Sequence, residues 1–289
     1  MTSCILKCRP EKNYVLGGSM FVEIKNGKKM SYKSIGTGET IIFIHSYLWD
    51  KDMWKPQMDE LSKKYRCIFV DLWAHGESDK LEDIKEYSLE ELTEDVIEFA
   101  NKLELKTFNY IGLSVGGMIG GHLLKKYPER IKKCVIMDSY LGEEPSETKE
   151  LYFNMLGTIE QLKFIPEQLI EKISPMFFSM EKTDLNKELN IKFKETLRNI
   201  PKENIQTIVA LGRGIFGRKN ILSTLKNTTS DLYFVVGEED IPRPVSEALE
   251  MSNLANKKLF IIKEAGHISN IENPVDATKI LLEILEEKN

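Results

Sequence analysis

The sequence predicts an α/β fold, a mostly parallel sheet with helices on both faces and a helical cap inserted into it. Three observations carry that expectation. Short β-rich apolar runs alternate with amphipathic helical stretches, the pattern of strands joined by crossover helices. The alternation breaks once, from Glu143 to about Asn227, where helical patterning runs without a convincing strand. One strand–helix junction carries Gly112-Leu113-Ser114-Val115-Gly116, small residues on both sides of a serine at a tight turn.

In chain order, residues 21–24 and 30–34 flank Asn26-Gly27 and read as a hairpin. Apolar runs at 41–44, 67–71, 108–113, 134–137, 232–236 and 258–262 read as the remaining strands. Helices are expected at 89–101, 115–126, 244–254 and 277–285. The first opens with Ser88 and Glu91 in a capping box. Inside the break, 149–161, 167–173 and 185–199 are helical in pattern, punctuated by Pro145, Pro166, Pro175 and Pro201. The expected organisation is therefore an N-terminal extension (1–18), a core (19–142 and 228–289) and a helical cap (143–227).

Composition narrows the function class. A hydrophobic fraction of 42% and a charged fraction of 29% are ordinary for a soluble globular chain of 289 residues. The net charge of −5 comes from interleaved lysines and glutamates, which read as solvated helix faces and give no basic footprint for nucleic acid. No run approaches a membrane span, and the N-terminus does not read as a signal peptide. Cys67 and Cys134 sit in apolar runs, and Cys4 and Cys8 have no second ligand pair at a usable spacing. A cytoplasmic monomer or homodimer with a small-molecule substrate, no metal, no nucleic acid and no membrane is the expectation.

The candidate chemistry starts at Ser114. A strand ending at Leu113 and a helix starting at Val115 present the hydroxyl at the sheet's carboxyl edge, beside a helix N-terminus. A serine nucleophile needs a base. Of the four histidines, His122 lies within the following helix, His75 in a turn, and His45 at a strand end. His267 stands on a loop just after the last strand, where it reaches the same edge. An acid must orient that base. Asp240, beyond the strand ending at Gly237, is the first candidate, and Asp138, after the preceding strand, is the second. Val115 and Tyr47 are expected to donate backbone N–H groups to an oxyanion.

These segments resemble the α/β-hydrolase superfamily. The resemblance is carried by His45-Ser46 with Trp54, Asp71-Leu72-Trp73-Ala74-His75-Gly76-Glu77-Ser78, Gly112–Gly117, Gly237–Asp240 and Ala265-Gly266-His267 with Glu272-Asn273-Pro274. It extends over nearly the whole chain from Phe21. The chain looks like small bacterial esterases, 3-oxoadipate enol-lactonases and carbon–carbon bond hydrolases. The resemblance implies the order nucleophile, acid, base for Ser114, Asp240 and His267, a cap over the site, and no cofactor.

Three departures stand out. Ser46 replaces a usual glycine, Trp73-Ala74 replaces Arg-Gly, and Leu113 precedes the nucleophile where many relatives carry histidine. Gly-Leu-Ser is shared with the enol-lactonase-like members. A serine at position 114 disfavours the aspartate chemistry of dehalogenases and epoxide hydrolases. The expected activity is hydrolysis of a carboxylic ester or lactone of a small, partly apolar substrate through an acyl-enzyme. Carbon–carbon or thioester hydrolysis, or weakly catalytic ligand binding, are the alternatives. Ser46, Tyr140, Phe177 and Ile268 are the expected pocket residues, with Met155, Met176, Phe178 and Met180 also available from the cap.

Overall fold

Two extended runs, β1 (Met20–Lys25) and β2 (Lys28–Ile35), pair antiparallel. Between them Asn26 and Gly27 both take positive φ, 49° and 78°. A two-residue hairpin requires that pair, and asparagine and glycine adopt it at least cost. The computed structural model describes residues 18–179 and 184–287. Most of the expected N-terminal extension, with Cys4 and Cys8, lies outside them, as does Met180.

The remaining strands are β3 (Glu39–Ile44), β4 (Tyr65–Val70), β5 (Phe108–Leu113), β6 (Ile131–Met137), β7 (Asp231–Gly237) and β8 (Leu259–Ile262). The eight strands form one sheet in the order β1-β2-β4-β3-β5-β6-β7-β8. β2 meets β4 antiparallel, and every pairing from β4 to β8 is parallel. The expected 67–71 strand starts earlier, at Tyr65, and stops before Asp71. That carboxylate is turned to the backbone N–H and the ammonium of Lys51, at 2.7 and 2.6 Å.

Side chains alternate across the strands and divide the core in two. Ile42, Ile44, Tyr110 and Ile136 face one side, and Ile41, Phe43, Ile111 and Val135 face the other. On the first side pack α2 (Leu89–Lys102), α3 (Val115–Lys126) and α8 (Val245–Ala255). On the second lie α1 (Lys55–Leu61) and α10 (Pro274–Glu286), with the single turn α9 (Ser269–Glu272) leading into α10. Both glutamate bonds of the expected capping box at Ser88 and Glu91 are present. Proline begins α10 at its first turn, where a missing N–H costs nothing.

Between β6 and β7 the chain makes its helical excursion: α4 (Ser146–Leu162), α5 (Glu167–Ile173), α6 (Asp184–Arg198) and α7 (Ile205–Phe216). The last was not among the stretches singled out by pattern. Nine of its twelve residues are buried, and its β-branched Ile205, Thr207, Ile208 and Val209 with Gly212 and Gly214 are weak helix formers. It is pinned to the core by Tyr47, whose hydroxyl donates to the Ile208 carbonyl at 2.7 Å, and by Tyr87 N–H to the Ala210 carbonyl at 3.0 Å. The excursion closes where it opened, with Ile221 N–H donating to the Leu141 carbonyl at 2.9 Å. Among the described residues, no helix is long and apolar enough to cross a membrane.

Candidate active site

Ser114 occupies a backbone conformation that serine rarely adopts, φ 57° and ψ −111°. The flanking glycines explain how the chain tolerates it. A Cβ on Gly112 would stand 2.2 Å from the Gly116 carbonyl carbon, and one on Gly116 would stand 2.4 Å from the Ile44 carbonyl oxygen. The turn is thus squeezed between its own helix and strand β3, and only glycine fits at both sites. Ser139 Oγ donates to the Ser114 carbonyl at 2.7 Å, and Tyr110 hydroxyl donates to the Gly116 carbonyl at 2.6 Å, which hold the turn from two sides.

His267 and Asp240 arrive from the carboxyl ends of β8 and β7. His267 Nε2 lies 2.9 Å from Ser114 Oγ, and its Nδ1 lies 3.1 and 3.0 Å from the two Asp240 oxygens. All three residues are buried. Asp240 is itself held, since its Oδ1 accepts the Arg243 N–H at 2.9 Å. The second candidate acid, Asp138, is turned elsewhere. It accepts the Gly237 N–H at 2.7 Å and the Ser269 hydroxyl at 2.5 Å. Burial, followed by the nearby Asp240 charge, pushes the Asp138 carboxyl well above its ordinary range.

The segment after β3 runs beside the serine. Ser46 N–H faces Met53 Sδ at 3.3 Å, and Leu48 N–H donates to His75 Nε2 at 3.1 Å. Tyr47 N–H, between them, makes no hydrogen bond with the described residues, and neither does Val115 N–H. Val115 is the first residue of α3, where no carbonyl of the helix can reach its N–H. Two buried histidines shape the loop. His45 Nε2 accepts Leu72 N–H at 2.9 Å, and His75 acts on Leu48. Burial depresses them to about 4 and about 3, His75 being lowered further by His45, so both are neutral acceptors. Ser46 is fully buried, and its hydroxyl has no partner among the described residues.

Over Ser114 and His267 the helical excursion and the core enclose a cavity. Ser46 and Phe177 line it, and so do Met155 and Met176. Tyr140 and Ile268 do not. Tyr140 turns its hydroxyl to Glu250 of α8 at 2.6 Å, and Ile268 is buried in the core on the α1 and α10 side. Phe178 also belongs to the core and lies outside the lining. Trp73, one of the departures, is buried with its indole N–H donating to Asp95 at 2.6 Å.

Residues that motif reasoning missed come from distant parts of the chain. Glu144 and Arg243 both line the cavity and are ion-paired to each other. Glu272 binds the excursion to the histidine loop. Its carboxylate accepts Ser179 N–H and hydroxyl, each at 2.8 Å, and Gly266 N–H at 2.6 Å. The only signal in the sequence was an acid shortly after His267, in Glu272-Asn273-Pro274. Among the described residues no group of three or more His, Cys, Asp or Glu is arranged to hold a metal ion.

A family model described as alpha/beta hydrolase fold matches residues 39–274. Bifunctional epoxide hydrolase 2 of Sus scrofa is 25% identical over 92% of this chain, which spans 55% of that protein's length. The 3-oxoadipate enol-lactonase 1 of Acinetobacter baylyi is 22% identical, over 89% of this chain and 92% of the lactonase. A thermophilic esterase of Thermogutta terrifontis superposes with a TM-score of 0.84 at 22% identity, covering 93% of this chain and 98% of the esterase.

Proposed function

The chain belongs to the alpha/beta hydrolase fold family and is a hydrolase, and from that premise we propose that it cleaves a carboxylic ester or lactone of a small, partly apolar substrate through an acyl-enzyme on Ser114. One observation carries this reading: the Ser114 hydroxyl lies 2.9 Å from an imidazole nitrogen whose opposite nitrogen is braced by a carboxylate.

Asp240 accepts a hydrogen bond from Nδ1–H of His267, which keeps the ring proton there and leaves Nε2 unprotonated and able to take the Ser114 proton. The oxygen attacks the carbonyl, and the negative charge that develops is met by Tyr47 and Val115 N–H groups that have no other acceptor. The imidazolium then gives its proton to the departing alkoxide, which breaks the ester bond. Water, deprotonated by the same nitrogen, releases the acid and restores the serine. The apolar lining supports an apolar acyl or ring portion.

Ser114→Ala should abolish turnover of p-nitrophenyl butyrate, and a fluorophosphonate probe should label wild-type protein at Ser114. Turnover retained by the alanine variant, or labelling at another residue, would overturn the assignment.

A further inference from the structure

Beyond Ser114, His267 and the 46–48 loop, the described cavity wall is apolar except at Glu144, Tyr152 and Arg243. This end is built from three separate segments. Glu144 precedes α4, Arg218 follows α7, and Arg243 follows Asp240. A single carboxylate lies between two guanidinium groups. Arg218 Nη1 donates to Glu144 Oε1 at 2.6 Å, and Arg243 Nη2 donates to the same oxygen. Arg243 Nη1 turns to Glu247, 3.3 Å away. The side chains of Glu144, Arg218 and Arg243 are at most 6% exposed.

The Arg243 guanidinium therefore meets the cavity already paired. A substrate carboxylate entering here would shed its water among apolar side chains. It would also lie beside the Glu144 charge, with no unpaired cation among the described lining residues to receive it. Tyr152, which shares this end of the cavity, is stacked on Phe216 with ring centroids 4.2 Å apart, so the neighbouring wall is aromatic.

We infer that Glu144 is a specificity-determining residue: by occupying Arg243 it makes the cavity accept uncharged acyl groups and reject acyl chains that end in a carboxylate. The inference rests on Ser114 as the hydrolytic nucleophile and adds the charge class of the acyl group.

Three p-nitrophenyl esters of matched reach test it: the hexanoate, the adipate monoester ending in a free carboxylate, and the methyl ester of that adipate. At pH 7 the free acid should show a kcat/KM on the order of 100-fold below its own methyl ester, as expected for an unpaired charge losing water. Equal or better turnover of the free acid would overturn the inference. Glu144 is then removed together with Arg218, as the double variant Glu144→Gln, Arg218→Gln, so that no buried cation is left in excess. The ratio of the two adipate esters, measured within one preparation, is independent of how much of it is folded. It should narrow by about 10-fold or more if Glu144 sets the discrimination. An unchanged ratio would refute the role of Glu144. Failure of all three esters, with no fluorophosphonate labelling, would instead overturn the reading of Ser114 itself.

Discussion

His75 accepts the backbone N–H of Leu48 through Nε2, 3.1 Å away, while its Nδ1 lies 2.8 Å from the Trp73 carbonyl. The carbonyl fixes the proton on Nδ1, so Nε2 is free to accept. An imidazole that does not contact Ser114, Asp240 or His267 thereby sets the path of the loop that carries Tyr47 N–H. His45 does the same for Leu72 from the adjoining strand end. Both bonds require the neutral ring, since a protonated Nε2 has no lone pair to offer.

This arrangement predicts a stability loss in acid. The folded values of about 4 and about 3 lie below the ordinary histidine value, so the unfolded chain binds these protons first as pH falls. Their contribution is complete above about pH 6.5, the ordinary value. It declines below that and is exhausted once pH has passed the folded values. Each histidine should cost about 1.4 kcal/mol per pH unit within its window. Urea unfolding of wild type and His75→Gln between pH 7.5 and 4 isolates one of them. Glutamine accepts the Leu48 N–H without titrating, so its curve should fall less steeply. Parallel curves would show that His75 is not buried neutral.

The two acids make a sharp comparison. Asp240→Asn should lower kcat by about 10³- to 10⁴-fold, because the amide no longer holds the Nδ1 proton and the imidazole loses its orientation. Asp138→Asn should change kcat by less than about 10-fold. An asparagine oxygen still accepts Gly237 N–H, and the amide donates to Ser269 Oγ in place of accepting from it. Steady-state kinetics on one short ester, with thermal midpoints as a folding control, decide the matter. Comparable losses in the two variants would mean that the acids share the work.

Glu272 joins the excursion to the loop of the base. Glu272→Ala strips an acceptor from Ser179 N–H and Gly266 N–H, both buried with it. The expected loss is about 2–4 kcal/mol of stability from the two orphaned backbone donors, since the Ser179 hydroxyl and the Asn186 amide also lose this acceptor but can turn elsewhere. It should come with a fall in kcat larger than the change in KM, because Gly266 directly precedes His267. Glu272→Gln, which keeps one acceptor oxygen, should lose less of both. Denaturant midpoints and kinetics of the pair provide the check, and an alanine variant as stable as wild type would sink the role.

The sheet was legible where burial imposes a simple pattern. Fully buried runs such as 108–113 and 134–137 sit at its centre with both faces covered. The serine junction was legible for a steric reason, since the glycines at 112 and 116 answer close backbone approaches. α7 was not, because its β-branched run and its two glycines, Gly212 and Gly214, lower local helix propensity. Nor were all the pocket residues, although Ser46 and Phe177 line the cavity as expected. Tyr140 and Ile268 are near in sequence to strand ends that carry chemistry, but side-chain direction took one outward to Glu250 and the other into the core. The Glu144, Arg218 and Arg243 cluster gave no local signal at all, because each member belongs to a different segment and only the closed fold brings them together.

The hydrogen bond from Ile221 N–H to the Leu141 carbonyl marks a neck in the chain. Everything between those residues leaves and returns through one point, while Ser114, Asp240 and His267 are all anchored outside it. Most of the cavity wall is therefore carried on a length of polypeptide separable from the one that carries those three residues. Grafting a different excursion at that neck is a route by which such a chain changes its diet while keeping its reaction.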